Sequence, residues 1–144
     1  MISIDTNLLL YSLNRDCAEH EASRRFVQRC TERSDVAIAE LVLLELYVLL
    51  RNPAVVSKPL DAAAAALACR PFRTHPRWAL IENAPVMSRV WEVAGRPGSA
   101  RRSVFDARIA FTLLHHGVRE LATRNVKDFA EFGFERVFDP LAEG

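Results

Sequence analysis

Cysteine is sparse in this chain, and the few cysteines present are not paired closely. Cys17, Cys30 and Cys69 are odd in number and form no C-x-x-C unit. That argues against a disulfide framework or a zinc ribbon and fits a reducing compartment. A charge of one sign is also missing: 19 Lys and Arg against 18 Asp and Glu leave a formal net charge of +1. Bulk charge therefore gives no argument for nucleic acid, and any such argument has to come from local clustering. Long hydrophobic runs are absent as well. The longest, residues 41–50, is broken by Glu45 and is too short to span a bilayer. The chain enters Met1-Ile2-Ser3-Ile4-Asp5 at once, with no room for a signal peptide, so the expected location is cytoplasmic. No repeat and no second-domain boundary is visible. With 50% apolar and 26% charged residues in 144, the expectation is one globular domain, residues 1–144.

Against this plain background, three acids stand out. Asp5 ends the apolar run Met1-Ile2-Ser3-Ile4. Glu45 is flanked at helical spacing by Leu41, Leu44, Val48 and Leu49, and Asp106 by Ile109, Ala110 and Leu113. A carboxylate in an apolar stripe costs about several kcal/mol unless a cation or a donor answers it. Each acid has an ordinary use when taken singly: helix cap, buried ion-pair partner or first-turn acid. Together they point to one acidic pocket assembled from distant parts of the chain.

The pattern between them predicts an α/β fold. Short strands are expected at 2–5, 36–39, 119–123 and 136–138. Helices are expected at 7–14 (capped by Asp5 or Thr6), 20–33, 40–51, 60–69 (ending before Pro71), 85–94, 103–116 (capped by Ser103 and closed by Gly117) and 126–132. Residues 96–102 (R-P-G-S-A-R-R) read as a loop. Strands alternating with helices predict a parallel sheet covered on both faces. Ligands bind such sheets beyond the carboxyl ends of the strands, where Asp5 and Thr123 fall. Trp78 and Trp91 are expected to anchor the core or an interface.

Three carboxylates about 5 Å apart repel by about 3 kcal/mol per pair at an effective dielectric near 20. A divalent cation relieves this. Oxygen ligands without a convergent His or Cys favour Mg²⁺ or Mn²⁺ over zinc or copper. Such an ion can activate a water and neutralise a phosphoryl group, so the chemistry points to phosphodiester hydrolysis.

Four segments carry a resemblance: I-D-T-N-L-L at 4–9, E-L-V-L-L-E-L-Y-V-L-L at 40–50, F-D-A-R-I-A at 105–110 and A-T-R-N-V-K-D-F at 122–129. In this order and spacing they resemble PIN-domain ribonucleases, and within them the VapC-like toxins of bacterial type II toxin–antitoxin pairs. The resemblance implies a three-layer α/β/α sandwich with a short parallel sheet. It implies that Asp5, Glu45 and Asp106 are the catalytic acids of a Mg²⁺- or Mn²⁺-dependent endoribonuclease, with Asp5 and Asp106 holding the metal. Glu45 is preferred to Glu40 for its apolar setting and its L-Y context. Asn7 and Thr123 match polar positions that orient the first acid and its water. Asn125 departs from the pattern, since many PIN nucleases carry a fourth acid there; Asp128 is a nearby substitute, and one tight metal at most is expected. Arg101 and Arg102, just before Asp106, are candidate contacts to RNA phosphates. The resemblance further implies a cognate VapB-like antitoxin, laid over the apolar helices with a basic residue in the acidic pocket, and a homodimer. Two other classes compete: a PIN scaffold that binds RNA with an inert site, and an Asp-nucleophile phosphatase. The phosphatase needs an acid two residues after Asp5, where this chain has Asn7.

Overall fold

Strands only three or four residues long hold this molecule together, because the central ones are apolar and buried from end to end. β1 (Ile2–Ile4) and β2 (Val36–Ala39) expose none of their residues, as a parallel sheet covered on both faces requires. The computed structural model describes residues 1–142; residues 143 and 144, the end of the expected 1–144 domain, lie outside the described residues. The remaining strands are β3 (Ala79–Ile81), β4 (Glu120–Ala122) and β5 (Arg136–Phe138). All pair in parallel, in the order β3-β2-β1-β4-β5. The sheet thus grows outward on one side through β2 and β3, and the chain then returns past β1 to add β4 and β5. The reversal falls between β1 and β4, whose register pairs Ile4 with Ala122. A crevice opens at such a point beyond the strand ends.

Helices α1 (Thr6–Leu13), α2 (His20–Thr31), α3 (Glu40–Leu50) and α4 (Ala62–Arg73) pack in succession, α1 against both α2 and α3, and α3 against α4. Leu8, Leu9, Ile38 and Leu46 are fully enclosed in the main core. A second apolar cluster joins α5 (Met87–Ala94) to α6 (Ser103–His115) through Val90, Val93, Ala107 and Phe111. The short α7 (Val126–Phe129) follows β4.

The parallel α/β architecture agrees with the sequence reading, with local corrections. β3 was not expected. α4 runs through Pro71 to Arg73 instead of stopping before it. Pro71 lacks the N–H that would bond the carbonyl of Leu67, but both residues are exposed, so water can satisfy that carbonyl. α6 begins after Arg102 with no side-chain cap; the Ser103 hydroxyl donates backward to the Ala100 carbonyl at 2.8 Å. α7 ends at Phe129, short of residue 132. Gly117 does end α6, with a φ of +86° that L side chains rarely adopt. Trp78 is buried as expected, its Nε1 donating to the Cys30 carbonyl at 3.0 Å, but Trp91 is 66% exposed and anchors no core. Among the described residues, no helix is long and apolar enough to cross a membrane.

Candidate active site

Asp5 stands where β1 becomes α1. Its backbone N–H bonds the Ala122 carbonyl at 2.9 Å, extending the β1–β4 pairing by one step. Its extended conformation (φ −68°, ψ 152°) makes it the N-cap of α1, with Oδ1 accepting from the Thr6 N–H at 2.8 Å. Oδ2 accepts from the Thr123 hydroxyl at 2.6 Å, the short length expected of a bond to a carboxylate. Thr123 is itself fixed: its N–H bonds the Phe138 carbonyl at 2.9 Å, and its hydroxyl accepts from the Asn125 N–H at 2.9 Å. The two strand ends at the sheet reversal therefore hold one buried carboxylate between them.

Thr6 carries the connection onward. Its hydroxyl donates to Glu45 Oε2 at 3.0 Å, joining the acid at the sheet end to the acid in the middle of α3. The sequence reading gave Thr6 only a capping role; the signal for more was a hydroxyl directly after the first acid. Glu40 lies elsewhere, in the first turn of α3 and bound to Arg73 at 2.7 Å.

Asp106, in the first turn of α6, joins this group through its field and not through a hydrogen bond. Its carboxyl is pushed up to about 6, first by burial and then by the charges of Asp5, Asp128 and Glu45, with Arg102 pulling the other way. Burial also raises Asp5, against the bonds from Thr123 and Thr6, and Asp128 adds to the rise. Glu45 is raised by burial; Thr6 lowers it, the charge of Asp5 raises it and Arg102 lowers it. Four carboxylates from α1, α3, α6 and α7 thus share one field. Asp128 is exposed, and Asn125 is exposed at the start of α7.

As the side chains stand, no three of the described His, Cys, Asp or Glu residues form a group that would hold a metal ion. Two of the four acids are tethered to threonine hydroxyls, and mutual repulsion keeps uncompensated carboxylates apart. The donor set itself is all carboxylate oxygen, which suits a hard divalent cation. Asn7 and Arg102 border the site. Together with Leu44, Glu45, Val48, Leu49 and Phe105 they line a groove of about 580 Å³. Arg101 is exposed beside them.

Comparisons with known proteins bear on the family and the fold. The PIN domain family matches residues 2–135. Ribonuclease VapC24 of Mycobacterium tuberculosis is 60% identical over 141 residues, covering 98% of this chain and 97% of that protein. Among solved structures, the sarcin–ricin loop cleaving toxin VapC20 of M. tuberculosis superposes with a TM-score of 0.69 at 20% identity, over 93% of this chain and 96% of its own. FitAcB of Neisseria gonorrhoeae does so with 0.63 at 19% identity, over 97% and 98%. VapBC2 of Rickettsia felis, bound to a DNA fragment from its promoter, gives 0.58 at 18% identity, over 94% and 98%. At those identities the three structures speak for the fold. The residues matched and the near full-length relative make this chain a PIN-domain protein of the VapC ribonuclease type.

Proposed function

We propose that the chain is a Mg²⁺- or Mn²⁺-dependent endoribonuclease, the toxin of a type II toxin–antitoxin pair, acting in the cytoplasm. The observation that carries the reading is the gathering of Asp5, Glu45, Asp106 and Asp128 near the ends of the central strands, where burial first and the neighbouring charges second lift Asp106 to about 6. Asp5 and Asp106 are the residues that would hold the cation. When bound, it supplies positive charge to the scissile phosphate and acidity to an attacking water. Thr123 and Thr6 aim the two Asp5 oxygens. Glu45, held by Thr6 and facing Arg102, is placed to orient the water or take its proton. Asn7, Asn125 and Asp128 complete the polar surround, and Arg101 and Arg102 stand ready for the phosphates that flank the cut.

The groove beside Glu45 supports a partner of the VapB kind. Leu44, Val48 and Phe105 are 62%, 60% and 56% exposed there, an apolar track leading to a carboxylate that a basic side chain could answer. A homodimer fits the same exposed apolar surface. The experiment is cleavage of a set of structured RNAs by purified, antitoxin-free protein with Mg²⁺ or Mn²⁺, with EDTA, and with Asp106→Asn. Metal-dependent cleavage lost in the variant supports the reading. RNA binding without cleavage in any condition turns it toward an inert PIN scaffold, the alternative that Asn125 favours.

A further inference from the structure

A second cleft, lined in part by Asp128, adjoins the acids. It measures about 260 Å³ and lies between residues 96–103 and α7. Its apolar lining comes from the buried Val93 and the half-buried Phe132; its charged lining, Arg96, Lys127, Asp128 and Glu131, is exposed. Apolar surface within and charge at the mouth is the pattern of a site for a flat, amphipathic ring. The volume falls just below the range of roughly 300–1,000 Å³ usual for small-ligand sites, so it fits one ring system and not a peptide segment. The wall is already set: the Ser99 hydroxyl donates to the Val93 carbonyl at 2.7 Å, and the Ser103 hydroxyl to the Ala100 carbonyl at 2.8 Å.

The cleft is continuous with the acidic site. Asp128 lines it and acts on both Asp5 and Asp106. Ser103, which also lines it, precedes Asp106 by three residues on the same face of α6. The cleft therefore opens within one helical turn, about 5.4 Å, of Asp106 along α6, close enough to receive a base from a strand that passes the acids. The two cations and two carboxylates of the lining leave it without net charge, which favours a neutral base over a phosphate.

We propose that the cleft is a nucleobase pocket for the nucleotide next to the scissile phosphate, selective for guanine through Glu131; it rests on the ribonuclease reading above. Guanine presents two parallel donors, N1–H and the exocyclic amine, to the two oxygens of one carboxylate. Adenine and cytosine offer a single amine on that edge, and uracil a single N3–H flanked by two carbonyl oxygens that would face the carboxylate. Phe132 and the Arg96 guanidinium offer faces for stacking, and Lys127 suits the carbonyl oxygen of guanine.

The test is fluorescence anisotropy in EDTA with labelled heptanucleotides of uridine carrying guanosine, inosine or uridine at the centre. Wild type is expected to bind the guanosine oligomer about tenfold more tightly than all-uridine, with inosine between them. Glu131→Ala, at an exposed position outside α7, should bring the three within about twofold of one another without changing the melting temperature. Equal or undetectable binding by wild type, or a guanine preference that persists in Glu131→Ala, overturns the pocket. Sequencing the cut ends of an RNA pool with Mg²⁺ separates the two readings. Cuts with no base preference sink the pocket alone. Base-selective binding with no cuts sinks the nuclease alone.

Discussion

Replacing Thr123 by valine removes one hydroxyl and keeps nearly the same shape, at a position with no exposed surface and beside an Asp5 only 7% exposed. Two bonds are lost: the Asn125 N–H, at an exposed residue, can turn to water, so the loss that counts is the bond of 2.6 Å that ends on the Asp5 carboxylate. A hydrogen bond to a charged group contributes about 1.5–3 kcal/mol, and the extra buried methyl returns roughly 0.8 kcal/mol. The expected deficit at pH 7 is thus about 1–2 kcal/mol, or roughly 3–6 °C of melting temperature for a domain of this size. Its pH dependence is the sharper test. Burial raises the Asp5 carboxyl and the Thr123 bond lowers it, so the valine variant raises it further. An acid raised on folding opposes folding while ionised, and that opposition is relieved as the pH falls through its folded value towards the unfolded one. The gap between variant and wild type should therefore be widest at pH 7 and narrow by pH 4.5. Calorimetry in EDTA at the two pH values measures it, with Thr123→Ser as the control that keeps the donor. A gap of equal size at both would refute the claim that Thr123 stabilises an ionised Asp5.

Asp106→Asn should melt higher than wild type in EDTA at pH 7, because it removes a carboxylate disfavoured first by burial and then by three neighbouring acids. The wild type should regain ground as pH falls from about 6, its folded value, towards 3.8, its ordinary one; a variant less stable at pH 7 would contradict the shared field. Glu45→Gln should reduce RNA cleavage about a hundredfold or more, whereas Glu40→Gln, which touches only the surface pair with Arg73, should leave rates within about twofold; comparable losses would mean the wrong glutamate has been assigned. Trp78→Phe should lower the melting temperature by leaving the Cys30 carbonyl without its buried donor, while RNA cleavage persists. Loss of cleavage in a folded Trp78→Phe protein would show that this end of the core reaches the site.

The acids were legible in the sequence because each breaks a local rule: Asp5 at the end of an apolar strand, Glu45 in an apolar helix, Asp106 before Ile109 and Leu113. Their association could only be inferred from topology, and the link that makes it physical, the Thr6 hydroxyl on Glu45, leaves no pattern at the level of hydrophobicity. Of the two edge strands, β5 fell where it was expected and β3 was missed. β3 is three residues beginning with an exposed Ala79, a string too brief and too mixed to show alternation. Pro71 misled because a proline is a stop signal only where its helix has no water to satisfy the freed carbonyl. Trp91 is exposed because its helix already packs through Val90 and Val93, which leaves only the interface half of its expected role.

The reversal of the sheet between β1 and β4 also has a meaning in time. Asp5 and the threonine that aims it are 118 residues apart. At roughly 5–20 residues per second, ribosomes need about 6–24 s to make the second after the first. Pairing of β1 with β4 then has to close a loop of nearly the whole chain, which belongs to the slow class of folding events. Until Thr123 is made, the polypeptide holds Asp5 with only the neighbouring Thr6 N–H to orient it. A chain of this topology cannot complete the Asp5–Thr123 pair before its penultimate strand docks.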